Sequence, residues 1–358
     1  MKTLLVMAGG TGGHVYPALA VANLLIARGV RIVWLGTKAG IESRIELSSA
    51  IEMEWVDVAG IRGKGLIRSI GALLMLFRVF WQVTTIIRRQ RPDALLGMGG
   101  YVSGPGALIG LIMRLPLVIH EANFDAGLTN KILARFSTYV LTGFPNSLGV
   151  GRKARWVGNP VRSNVIALDK GFGKAKWDKA KLCVLVLGGS QGAEILNQLV
   201  PPAIKLLSSI ERLEVIHQCG HVWQDTTQRR YSELGIEANI VGYIDDITEA
   251  YKDSDIVICR AGAMTISEIA VVGIASVLIP FPHAVGDHQT KNAQFMAERG
   301  AARWIPQEQF SSETLAEILN ELFEDRSKIL AIGQAAKSIA CLDATDQVAN
   351  YCMEVMGA

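Results

Sequence analysis

Two glycine-rich turns stand 179 positions apart in this chain, each directly behind an apolar run that reads as a buried strand. Thr3-Leu4-Leu5-Val6-Met7-Ala8 leads into Gly9-Gly10-Thr11-Gly12-Gly13-His14. Leu182-Cys183-Val184-Leu185-Val186-Leu187 leads into Gly188-Gly189-Ser190-Gln191-Gly192-Ala193. A strand, a glycine turn and a following helix bring unhindered backbone N–H groups and the positive helix end to one spot, which suits a phosphate. One such unit is common to many folds. Two, a domain's length apart, predict paired α/β domains facing each other across a cleft, where a nucleotide-activated substrate can meet a second one.

The length of 358 residues predicts two cores, and with half of the residues hydrophobic both can be filled. The stretch Trp156-Val157-Gly158-Asn159-Pro160-Val161-Arg162 has linker character, so the first domain is expected over 1–162 and the second from 163. The five cysteines are scattered without a C-x-x-C pair and read as reduced thiols. Met1-Lys2-Thr3-Leu4-Leu5-Val6-Met7 imitates a signal peptide, but its apolar run is short and ends in the glycine turn, so it is expected to be the first core strand of a cytoplasmic protein. The net charge of +3 hides an asymmetry: 19 Lys/Arg against 8 Asp/Glu leave residues 1–162 at +11, and the remainder stands at −8. A basic half suits an anionic, phosphate-bearing surface. No nucleic-acid module accompanies it, and no nucleic-acid partner is expected.

Strands and helices alternate, which predicts parallel sheets covered by helices. Strands are expected at Thr3–Ala8, Arg31–Leu35, Asp93–Met98 and Leu117–His120, then at Leu182–Leu187, Glu214–His217, Ile240–Tyr243, Ile256–Cys259 and Ser276–Pro280. Pro17 is expected in the first turn of a helix running from Ala18 to Arg28 and stopped by Gly29.

Two nucleotide folds are excluded. A G-x-G-x-x-G fingerprint counted from Gly10 and Gly12 needs glycine at Val15, and the acid wanted after the second strand is replaced by Gly36-Thr37-Lys38. No G-x-x-x-x-G-K-[ST] run occurs either. His14 is then either a plain helix-entry residue or a general base, and a helix N-terminus favours the neutral imidazole that a base requires. Cys259-Arg260-Ala261-Gly262-Ala263-Met264-Thr265-Ile266-Ser267-Glu268 carries a second such spot. Helix-start N–H groups and the Thr265 hydroxyl can hold a diphosphate there. Glu268 can accept both ribose hydroxyls, or it is an ordinary capping glutamate.

Asp253-Ser254-Asp255 matches a metal-binding D-x-D pattern, yet it precedes its strand and so falls at the end away from the ligand crevice. His283, Asp287 and His288 lie in a loop without metal-ligand spacing, so no metal is expected. Gly65 to Arg91 is strongly apolar but interrupted by arginines, with no acid between Asp57 and Asp93. Arg78 at its centre argues against a spanning helix, and the pattern suits either a helix on an anionic lipid surface or one packed on the sheet.

Together these segments resemble the family-28 glycosyltransferases, and within them the bacterial N-acetylglucosaminyltransferases that convert lipid I to lipid II in peptidoglycan synthesis. The likeness rests on the two glycine turns, Gly97-Met98-Gly99-Gly100-Tyr101-Val102-Ser103-Gly104-Pro105, His120-Glu121-Ala122-Asn123, Gly158 to Arg162, and Arg260 to Glu268. The resemblance implies the GT-B architecture of two Rossmann-like parallel-sheet domains, with a last helix, 341–358, crossing back from the second domain (163–340) onto the first. It implies inverting transfer without metal or cofactor, from UDP-N-acetylglucosamine to lipid I, an undecaprenyl-diphosphate-linked muramoyl pentapeptide. Carried over by position, Thr11, Gly12, Gly13, Asn123, Arg162, Ser190, Ile244, Ala263, Met264, Thr265, Ile266, Ser267, Glu268 and Gln289 would contact the donor, with His14 as the base. Ala122 stands where the family often has Gln, and Met264 where Leu is common. The resemblance also implies a peripheral place on the cytoplasmic face of the inner membrane, with division and elongation proteins as candidate partners. Another UDP-sugar enzyme of this architecture, such as an epimerase or a small-molecule glycosyltransferase, and a non-catalytic UDP-sugar-binding scaffold are the alternatives.

Overall fold

The computed structural model describes residues 1–45, 47–58, 67–145, 147, 154–168, 181–189, 191–208 and 210–358, and at 67–74, 76 and 285 the backbone. The chain divides into two compact units, Met1–Arg162 with Cys341–Ala358, and Ser163–Ala340.

In the first unit, β1 (Thr3–Ala8), β2 (Arg31–Gly36), β3 (Ile51–Trp55), β4 (Ala94–Gly99), β5 (Leu117–Glu121), β6 (Tyr139–Thr142) and β7 (Ala154–Trp156) form one sheet. It is ordered β3-β2-β1-β4-β5-β6-β7, and its pairings are parallel. The two-residue period of β1 feeds two cores. Leu4, Val6 and Ala8 meet Val15, Ala18 and Val21 of helix Gly12–Ala27 on one face; Leu5 and Met7 meet Val79, Val83 and Ile87 of helix Ile67–Gln90 on the other. Helix Ala344–Met356 lays Val348, Ala349, Cys352 and Met356 on the first of these faces. A polar clasp fixes it. The Arg155 guanidinium lies 5.0 Å from both the Tyr139 and Tyr351 rings, the Tyr139 hydroxyl donates to Glu354 at 2.6 Å, and Arg28 pairs with Asp346 at 2.5 Å.

In the second unit, β8 (Leu182–Leu187), β9 (Leu213–Gln218), β10 (Asn239–Val241), β11 (Ile256–Cys259), β12 (Ala275–Leu278) and β13 (Arg303–Trp304) form a parallel sheet. Its order is β10-β9-β8-β11-β12-β13. Val184, Val186, Ile256 and Ile258 pack with Leu196 and Val200 of helix Glu194–Lys205 and with Leu315 and Leu319 of helix Ser312–Glu324.

Three sequence expectations are corrected. Helix Gly12–Ala27 starts six residues before Ala18 and carries Pro17 in its interior, because proline's fixed φ is helical and costs one backbone bond here. Its end is a Schellman turn, Gly29 at φ +82°, with Gly29 N–H donating to Ile26 O and Val30 N–H to Leu25 O. The linker-like stretch before Arg162 is instead packed, with Val157, Asn159 and Val161 buried in the first unit. Strands β3, β6, β7 and β13 lie outside the expected set; each has at most five residues, and β3, β7 and β13 close their sheets' edges.

Candidate functional site

Open parallel sheets bind ligands at the carboxyl ends of the two strands where the order reverses. In the first unit those strands are β1 and β4. The turn after β1 carries Gly9 to Gly13, and Gly99 and Gly100 after β4 lie directly against it: a Cβ on Gly100 would overlap Gly9 O, and one on Gly99 would overlap the His14 ring. Ser103 fixes that second turn, its Oγ 2.9 Å from Met7 O and 2.8 Å from Gly99 O. His14 is half-buried in the first turn of its helix, with Nδ1 3.4 Å from the Thr11 hydroxyl. A neutral imidazole can take up a proton near pH 7, which is the property a general base needs.

Two further loops at this end of the sheet carry Asn123 and Arg162. The buried Glu121 carboxylate accepts the Asn123 N–H at 3.0 Å, its side-chain amide at 3.3 Å, the Gly127 N–H at 3.1 Å and the Asn130 amide at 2.8 Å. Asn123 is thus aimed by the carboxylate beneath it. His120 Nε2 lies 2.9 Å from Gly158 O, and Asn159 donates to Ala122 O at 3.0 Å, joining the loop after β5 to the segment before Arg162. Full burial lowers the His120 pKa, so its ring is neutral. The Arg162 guanidinium lies 5.1 Å from the Tyr16 ring, which places it on the helix that begins with Gly12. Thr11, Gly12, Gly13, His14 and Arg162 therefore share one neighbourhood.

In the second unit the order reverses between β8 and β11, and the second glycine turn and the Arg260–Glu268 segment follow those two strands. Helix Ala263–Val272 begins with Gly262 as its cap, and its first intrahelical bond runs from Ile266 N–H to Gly262 O. The N–H groups of Ala263, Met264 and Thr265 precede that bond, as the first turn of any helix leaves them. Ser267 donates to Ala263 O at 2.8 Å. Glu268 is only 8% exposed and accepts the buried Tyr251 hydroxyl at 3.1 Å, so it is not a capping residue on a solvated face.

Arg260 donates to Ile279 O and Pro280 O and lies 5.3 Å from the Phe281 ring; desolvation lowers its pKa to about 10, which still leaves it charged at neutral pH. Asn292 holds Ala261 O at 3.1 Å, and Gln289 accepts the Phe281 N–H at 3.0 Å. Ile244, half-buried, follows β10. Ser190 lies outside the described residues.

Tyr251, Asn292 and Glu121 were absent from the sequence-derived set, because their part is to aim other residues and only packing reveals it. Arg260 stood in the quoted motif without a role. Asp253-Ser254-Asp255 sits at the opposite end of the sheet, where Asp255 accepts the Cys183 N–H at 2.8 Å. His283 and Asp287 are exposed, and among the described residues no group of three His, Cys, Asp or Glu could hold a metal ion. In helix Ile67–Gln90, Val79, Val83, Ile86 and Ile87 are buried, while Phe77 (74% exposed) and Trp81 (65%) face outward. Among the described residues, no helix is long and apolar enough to cross a membrane.

Two parallel α/β units, each with a glycine turn at the switch point of its sheet, are the architecture of the GT-B glycosyltransferases. Residues 4–142 match the N-terminal domain of glycosyltransferase family 28, and residues 183–348 match its C-terminal domain. The chain belongs to glycosyltransferase family 28. It is 46% identical over 353 residues to the UDP-N-acetylglucosamine--N-acetylmuramyl-(pentapeptide) pyrophosphoryl-undecaprenol N-acetylglucosamine transferase of Marinobacter nauticus, covering 99% of this chain and 97% of that one. The transferase of the same name from Aromatoleum aromaticum is 46% identical over 355 residues, covering 99% and 98%. The crystal structure of Acinetobacter baumannii MurG superposes with a TM-score of 0.83 at 35% identity, covering 99% of this chain and all of that one. A UDP complex of Staphylococcus aureus MnaA, 12% identical with a TM-score of 0.69, shares the fold.

Proposed function

We propose that this chain transfers N-acetylglucosamine from UDP-N-acetylglucosamine to undecaprenyl-diphosphate-linked N-acetylmuramoyl pentapeptide, forming lipid II. The relation over nearly the whole chain to transferases of that printed name carries this reading. His14 removes the proton of the muramoyl hydroxyl as it attacks the anomeric carbon, with inversion. The N–H groups of Ala263, Met264 and Thr265 and the charge of Arg260 steady the departing UDP diphosphate, so electrostatics does the work a metal would do. Glu268 holds the ribose, the backbone at Ile244 the uracil, and Ile266, Ser267 and Gln289 complete the donor pocket. Thr11, Gly12, Gly13, Asn123, Arg162 and Ser190 contact the donor as well.

The protein works at the cytoplasmic face of the membrane that carries its acceptor, bound peripherally through helix Ile67–Gln90. The test is UDP release with lipid I as acceptor. Wild type turns over, and His14→Ala loses roughly 10²–10⁴-fold in kcat, the scale of a positioned base. Absence of UDP release from wild type with lipid I would leave a binding scaffold instead.

A further inference from the structure

Among the described residues Glu42 is the most deeply buried carboxylate, 1% exposed, and no Lys or Arg among them pairs with it. It sits in the short turn Ile41–Ser43 that follows β2. Its Oε2 accepts the Gly10 N–H at 2.9 Å; its Oε1 accepts the Thr37 N–H at 2.8 Å and the Thr37 hydroxyl at 2.9 Å. The surrounding glycines are cut to its shape. A Cβ on Gly9 would stand 2.6 Å from Oε1, one on Gly36 would stand 2.9 Å from Cγ, and one on Gly40 would overlap the carboxylate.

In a dinucleotide-binding Rossmann unit, the turn after the first strand offers its backbone to a pyrophosphate, and an acid after the second strand faces the ribose. Here the acid points inward and occupies the N–H of the glycine turn itself. We propose that Glu42 is a positioning residue for the transfer: a buried carboxylate that locks Gly10 and hence the helix start carrying His14. It also takes Gly10 N–H out of ligand binding and sets a negative charge beneath the turn. That turn is thereby suited to a neutral hexose and an attacking hydroxyl, and the donor's diphosphate is left to the second unit. The inference rests on His14 acting as the base.

Both carboxylate oxygens accept backbone N–H groups, so an amide cannot replace the carboxylate: one of its ends would bring N–H against N–H. Glu42→Gln is therefore expected to lower kcat with lipid I at least about tenfold, with the UDP dissociation constant by calorimetry changed less than about twofold. Thr37→Val, which removes one donor and keeps the carboxylate, is expected to lower kcat about two- to fivefold while the protein stays folded at the assay temperature. It decides the matter if Glu42→Gln does not fold. In the His14→Ala background, Glu42→Gln is expected to cost less than about twofold more, since residues acting as one unit are not additive. Wild-type kcat in Thr37→Val and Glu42→Gln, beside a crippled His14→Ala, overturns the proposal. So does an undiminished tenfold loss in the His14→Ala background. A near-normal kcat in His14→Ala alone sinks the general-base reading instead.

Discussion

Glu268 and His217 are both buried polar side chains of the second unit, and what separates their consequences is the company each keeps. Glu268 keeps one carboxylate oxygen on the Tyr251 hydroxyl and stands on the helix whose start is proposed to hold the diphosphate. Glu268→Gln preserves shape and weakens a charge-assisted acceptor, a loss of roughly 1.5–3 kcal/mol. Donor KM is expected to rise about tenfold or more at unchanged melting temperature, and an unchanged KM in steady-state assays removes Glu268 from the site. His217 has no ligand to meet. Asn197 donates to Cys219 O, so its amide oxygen must accept from His217 Nε2, 3.0 Å away; Nδ1, 3.0 Å from the Tyr231 hydroxyl, then accepts. The ring is a neutral tautomer, and burial pushes its pKa from 6.5 down to about 3. Between those values the unfolded chain binds a proton that the folded one refuses. Stability is therefore fully present above pH 6.5 and falls as pH drops towards 3, by at most about 1.4 kcal/mol per unit. Urea unfolding of wild type and His217→Gln at pH 7 and pH 5 checks this. The variant is expected to lose less stability on acidification, and parallel losses would refute the assignment.

Helix Ile67–Gln90 packs on the sheet and, on the proposed function, also meets lipid. Val79, Val83, Ile86 and Ile87 are spaced three and four apart, fall on one stripe and fill the core, while Phe77 and Trp81 share the opposite side with Arg88. Not all of its basic residues are available to lipid: Arg78 pairs with Asp57 at 2.9 Å and Arg89 with Glu54 at 2.5 Å. The acid-free stretch in the sequence is answered by acids just outside it, a neutralisation that sequence distance concealed. Leu74, another candidate membrane contact, lies where side chains are not described, so the test falls on Phe77→Ser with Trp81→Ser. Both are exposed and should leave the fold intact. Wild type is expected to sediment with anionic vesicles and be released by salt, and the double variant to bind several-fold more weakly. Equal binding by both proteins would confine this helix to its packing role.

For the chain as a whole, the proposed division of labour between the units matches their difference in charge. The basic first unit carries His14 and most of the exposed large apolar residues, Phe77 and Trp81 among them, while the second carries the Arg260–Glu268 segment. The D-x-D carboxylates stand at the N-terminal edge of their sheet, with Asp255 already engaged by the Cys183 N–H. Turnover is therefore expected to survive a strong chelator. Activity abolished by EDTA and restored only by Mn²⁺ or Mg²⁺ would show a metal that this proposal leaves out.

The glycine turns, the long central strands and the residues of the Arg260–Glu268 segment were legible in the linear chain because each is a local pattern: an apolar run, a turn without side chains, a helix start. β1, β8 and β11 coincide with their apolar runs, and the candidate sites follow from the rule that ligands gather at strand ends. Helix Ala344–Met356 shows what is not local. Its packing depends on Arg155, Tyr139 and Arg28, residues more than a hundred and eighty positions away, and no periodicity within it names that partner. Glu42, Glu121 and Tyr251 share that property. A buried carboxylate or hydroxyl acquires its role from the backbone N–H groups and side chains that close around it, and that company exists only once the sheet has brought separate turns to one edge.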